Sequence, residues 1–184
     1  MNRQSRLCAD INRCIHAALT AVAPETCLRR AAHIDGNRFF VRGESIDLSQ
    51  VGRIIVVGMG KASARMAASL EGILGERIDG GVVVTADGYT VPTSRVEIVE
   101  ASHPVPDQRG IAAAQRIAEL ADSAGENDLV IVLISGGGSA LLTLPSSGVV
   151  LDDLVATNEL LLRSGATIQE INTVRKHLSQ VKGG

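Results

Sequence analysis

The sequence predicts an α/β fold: a mostly parallel β-sheet flanked by helices and preceded by an N-terminal helical segment. Two observations carry this prediction. The uninterrupted apolar runs Ile54–Val57 and Leu129–Ile134 have the texture of strands buried on both faces, without the alternation of a half-solvated sheet. From residue 53 onward strand-like and helix-like segments alternate, as they do when helical crossovers join parallel strands.

Taken in order, Leu7, Ile11, Ile15, Ala18, Leu19 and Val22 recur at helical spacing and define an amphipathic first helix. Pro24 suits the first position of a second helix over Glu25–Ala32. Asp35-Gly36-Asn37 reads as a turn, with His33 on its surface, and Arg38–Arg42 as a strand pairing with Glu44–Leu48 across Gly43. After Ile54–Val57, Gly58-Met59-Gly60 ends the strand and Lys61–Leu74 has helical composition. Gly81–Thr85 and Val96–Val99 are further strands. Pro106-Asp107 opens a helix to about Ala121, with Ile111, Ala114, Ile117 and Leu120 on one face. After Leu129–Ile134, helices are expected over Leu151–Arg163 and Thr167–Val181.

Composition narrows the function. The 184 residues are 45% apolar and 21% charged, enough for one sizeable core. A net charge of −2 and only three aromatic residues (Phe39, Phe40 and Tyr89) argue against a nucleic-acid partner. Cys8, Cys14 and Cys27 make an odd count without metal-ligand spacing, which points to a reducing compartment. With no signal-peptide core and no span-length apolar run, the expected location is the cytoplasm, with no membrane partner. Of 18 cations, 15 are Arg, so Lys61, Lys176 and Lys182 stand out as positions where a compact ammonium matters.

Four segments could carry chemistry. Gly58-Met59-Gly60-Lys61-Ala62-Ser63 lies at a strand-to-helix junction, where glycines admit a close ligand and backbone amides favour an anion. It departs from a Walker A loop at Ile55 and Ala62, and from a dinucleotide fingerprint at Ser63; a plain tight turn has the same spacing. Ser135-Gly136-Gly137-Gly138-Ser139 follows the second apolar strand and suits a nest of amides around an oxyanion. Ser102-His103-Pro104-Val105-Pro106-Asp107 is a stiff loop in which Asp107 can cap the next helix and His103 can orient a substrate or move a proton. Asn172-Thr173-Val174-Arg175-Lys176-His177 puts Asn172 and Lys176 on one helix face beside Arg175, which fits either an anion site or a solvated helix end. Metal ligands are not evident; Asp87 and Asp107 lie near strand or loop ends.

These four motifs, in this order, resemble the class II glycerate 2-kinases, whose N-terminal Rossmann-like lobe is associated with a C-terminal MOFRL lobe. The resemblance implies a transferase that phosphorylates D-glycerate at its 2-hydroxyl, with ATP and Mg²⁺ or another divalent cation. It implies that Lys61 and Arg175 are catalytic. It also implies that Gly58, Gly60, Ser135, Gly136, Gly137, Gly138, Ser139, Asn172 and Lys176 bind phosphate or substrate. Residues 1–184 would form that single N-terminal lobe, the MOFRL lobe lying beyond a truncated end, and a homo-oligomer is compatible. Two alternatives stay open. One is an NAD(P)H-dependent hydroxypyruvate reductase, with Gly58–Gly60 at the pyrophosphate and Asp87 at the ribose. The other is a non-catalytic anion-binding module.

Overall fold

The computed structural model describes residues 3–183. Helix α1 (Arg3–Ala21) is followed by α2 (Pro24–Ala31), which starts at Pro24 as its fixed φ favours. No residue of α1 is buried, and Leu7, Ile11, Ile15 and Leu19 form an exposed stripe. Strands β1 (Ala32–Asp35), β2 (Arg38–Val41) and β3 (Glu44–Asp47) form a small antiparallel sheet. The hairpin across Gly43 is as expected, but β1 is not. The second helix stops at Ala31, and Ala32 pairs with Val41, which puts His33 in a strand stacked on the Phe40 ring at 4.8 Å. Cross-strand pairing overrides the helical composition of Ala31-Ala32.

The main sheet has four parallel strands, β4 (Ile54–Met59), β5 (Gly80–Ala86), β6 (Val96–Ala101) and β7 (Leu129–Ile134), in the order β6-β5-β4-β7. The chain proceeds outward from β4 to β6, then returns to place β7 on the other side of β4. The strand order therefore reverses between β4 and β7, at the position where open α/β sheets bind their ligands.

Helix α3 (Ser63–Leu74) packs Ala67, Leu70 and Leu74 against Ile54, Val56, Val83 and Leu133 on one face of the sheet. On the other face α4 (Gln108–Asp122) packs Ala113, Ala114 and Ile117 against Ile55, Val57, Val82 and Val84. The Asp107 carboxylate caps α4, accepting the Gly110 amide at 3.0 Å. Strand β7 is an edge, and its run is not covered on both faces: Val132 and Ile134 are exposed on the α4 side.

The opening ends of β4 and β7 are pinned together. Asp128 accepts the Arg53 amide at 2.7 Å and the Gly125 amide at 3.0 Å, and pairs with the Arg53 guanidinium at 2.6 Å. The Arg53 side chain, followed by the Gly125 and Arg53 amides, holds the Asp128 carboxyl down at about 2.

A single turn, α5 (Gly138–Leu141), follows β7; α6 (Leu151–Arg163) and α7 (Ile168–His177) complete the described chain. Helix α7 opens with a reciprocal Thr167–Glu170 capping box and stops at His177, short of the expected Val181. The reason lies elsewhere in the chain. Leu178 accepts the Ser146 amide at 3.0 Å and Gln180 donates its amide to Leu144 at 2.9 Å, so residues 178–180 pair with 144–146 instead of continuing the helix.

Candidate active site

The site is built from the loops that leave β4 and β7. Their last residues, Met59 and Ile134, are in register, so the loops emerge side by side. Ser135 donates its amide to Met59 at 3.0 Å, Lys61 donates its amide to Gly136 at 2.9 Å, and the Ala62 amide donates to the Ser135 hydroxyl at 3.0 Å. These bonds commit the Lys61 and Ala62 amides to the neighbouring loop, and α3 accordingly starts at Ser63 instead of Lys61. Gly60 has φ +118°, and a Cβ there would collide with Ser135. Its carbonyl accepts the buried Ser63 hydroxyl at 2.5 Å and the buried Thr85 hydroxyl at 3.2 Å. Sequence reading did not assign Ser63 or Thr85 to the site; the one signal was Ser63 in the place of a third glycine.

Gly137, at φ +88°, is where the loops meet the third motif. A Cβ on Gly137 would stand 3.0 Å from the His103 Nε2 atom and 3.5 Å from the Lys61 side chain. His103 reaches this point over a cis His103–Pro104 bond. Among the described residues, the amides of Gly136, Gly137 and Gly138 have no protein acceptor. The arrangement offers unpaired donors beside the Lys61 side chain and the His103 imidazole, a setting that suits an oxyanion.

A cleft of about 370 Å³ opens beside this loop. His103, Pro106, Gly137 and Ser139 line one wall, and Asn158 and Arg175 the other. Helix α7 turns Ile171 and Arg175 inward, as does Leu178 just after it, while Asn172 and Lys176 are exposed. The helix thus brings Arg175 to the cleft and leaves Asn172 and Lys176 off it. Gly58 also stands apart. It is buried within β4, where a Cβ would meet the Leu133 carbonyl at 2.6 Å, so its smallness serves strand packing. Ser135 spends its hydroxyl on the Ala62 amide, whereas Ser139 is exposed at the cleft wall. Lys182, half-buried, lies near Arg175; burial first, and then the Arg175 charge, pushes its ammonium down to about 8.

The carboxylates near the loops are already engaged. Asp87 makes a bidentate pair with Arg109 at 2.6 and 2.9 Å, and the Arg109 hydrogen bonds hold its carboxyl below the usual range. Arg109 also donates to Asp107 at 2.7 Å. Asp87, where the dinucleotide alternative puts the ribose, is thus paired with Arg109. Among the described residues no group of three or more His, Cys, Asp or Glu is placed to hold a metal ion. Among them, no helix is long and apolar enough to cross a membrane.

Known proteins carry the same architecture. The chain is 42% identical over 172 residues to the glycerate 2-kinase of Pyrococcus horikoshii, covering 94% of this chain and 38% of that protein. It is 54% identical over 133 residues, 72% of this chain and 30% of the relative, to an Agrobacterium vitis protein provisionally named hydroxypyruvate reductase. The crystal structure of glycerate kinase from Thermotoga maritima superposes with a TM-score of 0.77 at 43% identity, over 92% of this chain and 38% of that one. The chain thus spans between 30% and 38% of the length of these relatives. Residues 10–184 match the model described as "Domain of unknown function (DUF4147)", and the chain belongs to that family, the N-terminal domain family of the glycerate kinases.

Proposed function

We propose that residues 1–184 are the N-terminal lobe of a cytoplasmic glycerate 2-kinase, which transfers a phosphoryl group from ATP to the 2-hydroxyl of D-glycerate. The observation that carries this reading is the convergence of Lys61, His103 and the free Gly136–Gly138 amides at the sheet's switch point. Phosphoryl transfer asks the protein mainly for positioning and for stabilisation of negative charge. The Gly136–Gly138 amides fit phosphoryl oxygens, and the Lys61 ammonium offsets the charge that develops on them. His103 is the titratable group placed to receive the hydroxyl proton. ATP supplies the phosphoryl group. The kinase names of the relatives in Pyrococcus horikoshii and Thermotoga maritima support the same reading.

The test is phosphorus NMR of the products formed by the full-length protein with ATP, Mg²⁺ and D-glycerate. A 2-phosphoglycerate resonance that Lys61→Ala abolishes, with an unchanged circular dichroism spectrum, is expected. A folded full-length protein that makes no phosphorylated product overturns the reading. NADH oxidation with hydroxypyruvate in its place would install the reductase.

A further inference from the structure

Arg175 and Lys182 line one small cavity of about 20 Å³, together with Ser139, Asn158 and Ser179. Both cations are half-buried, and no carboxylate lines the cavity. Neither has an ion-pair partner among the described residues, whereas Arg53, Arg65, Arg109 and Arg116 each pair with a carboxylate. Glu159 borders the larger cleft but pairs with neither cation. Lys182 reaches this place because the chain leaves α7 at His177 and is held there by the pairing of residues 178–180 with 144–146. Two like charges brought together and partly desolvated are costly unless an anion completes them.

The small cavity and the 370 Å³ cleft share Pro106, Ser139, Asn158 and Arg175, so a molecule seated in the cleft can place one end in the cavity. The guanidinium fork of Arg175 matches a carboxylate. We propose that Arg175 and Lys182 form a carboxylate-binding subsite. It holds a small 2-hydroxy acid by its carboxylate and leaves its hydroxyl toward Gly137 and Ser139. The identity of the acid as D-glycerate rests on the kinase reading; the subsite itself rests on the cation pair.

Calorimetric titration of the full-length protein with D-glycerate, glycerol and inorganic phosphate, in wild type, Lys182→Met and Lys182→Arg, tests this directly. The wild type is expected to bind D-glycerate saturably and glycerol not measurably. Lys182→Met should weaken D-glycerate binding about tenfold or more, with Lys182→Arg retaining most of it. Phosphate affinity should stay unchanged in both variants. In turnover, Lys182→Met should raise KM for D-glycerate while kcat and KM for ATP hold. Equal D-glycerate affinity in wild type and a folded Lys182→Met overturns the subsite, as does a loss of phosphate binding instead. If Lys182→Met does not fold, Lys182→Arg decides: D-glycerate affinity kept supports the subsite, and affinity lost overturns it. If the wild type binds D-glycerate through Lys182 but transfers no phosphoryl group, the kinase reading fails and the subsite stands.

Discussion

The Ser135 hydroxyl accepts the Ala62 amide at 3.0 Å, across the gap between the two glycine loops. This bond, with the Lys61–Gly136 amide bond beside it, makes one surface from segments more than seventy residues apart in sequence. Ser135→Ala should therefore loosen the surface without emptying it. The expected cost is about 1 kcal/mol in urea unfolding, with a larger proportional loss of anion affinity. Gly60→Ala should do more damage, roughly 2 kcal/mol or more, because its φ of +118° and the collision with Ser135 act together.

Lys61→Ala should reduce phosphoryl transfer by about a hundredfold or more and leave the unfolding midpoint nearly unchanged. The Lys61 side chain borders Gly137 and has no carboxylate partner among the described residues, so its removal breaks no ion pair. Rapid-quench measurement of the chemical step, beside a urea titration, separates these effects.

The Arg53–Asp128 clasp sets an acid limit to stability. The folded Asp128 carboxyl titrates at about 2, below its ordinary 3.8, so the clasp contributes fully above about pH 4 and is lost as pH falls through 2. Asp128→Asn should be less stable than wild type at pH 7. That difference should shrink steadily between pH 4 and 2 in chemical denaturation.

Binding of D-glycerate should weaken as pH rises through about 8, where Lys182 loses its proton. The charged and titratable groups around it are Arg175, which shares the small cavity, and Lys176 and His177 on its outer side. A bound carboxylate favours the ammonium, so the complex should titrate at a higher pH than the free protein. For folding the sign runs the other way. The folded value lies below the unfolded 10.5, so stability gains as pH rises between the two. Calorimetry from pH 6.5 to 9.5, with Lys182→Arg as control, reads the binding effect.

Local features were legible where the requirement itself was local. Gly60 and Gly137 each have positive φ, and both stood out as glycines after strong strands. Asp107 could be read as a cap because capping needs only the next few residues. Gly58 was misleading: a glycine needed for strand packing and one needed for a ligand look alike in sequence. Helical spacing placed Asn172 and Lys176 on one face but could not say which face turns inward. The apolar neighbours Ile171 and Leu178 were the available clue for Arg175. The position of Lys182 depends on pairing between residues 144–146 and 178–180, and no local pattern announces it.

The return of β7 to the side of β4 also has a temporal meaning. Arg53 and Asp128 are separated by 75 positions, so their clasp closes a long loop of chain. On a growing polypeptide the Lys61 turn exists long before the Gly136–Gly138 turn is synthesised. The two loops are therefore joined only once β7 docks beside β4. A chain stalled before β7 docks carries Lys61 without the Gly136–Gly138 loop beside it.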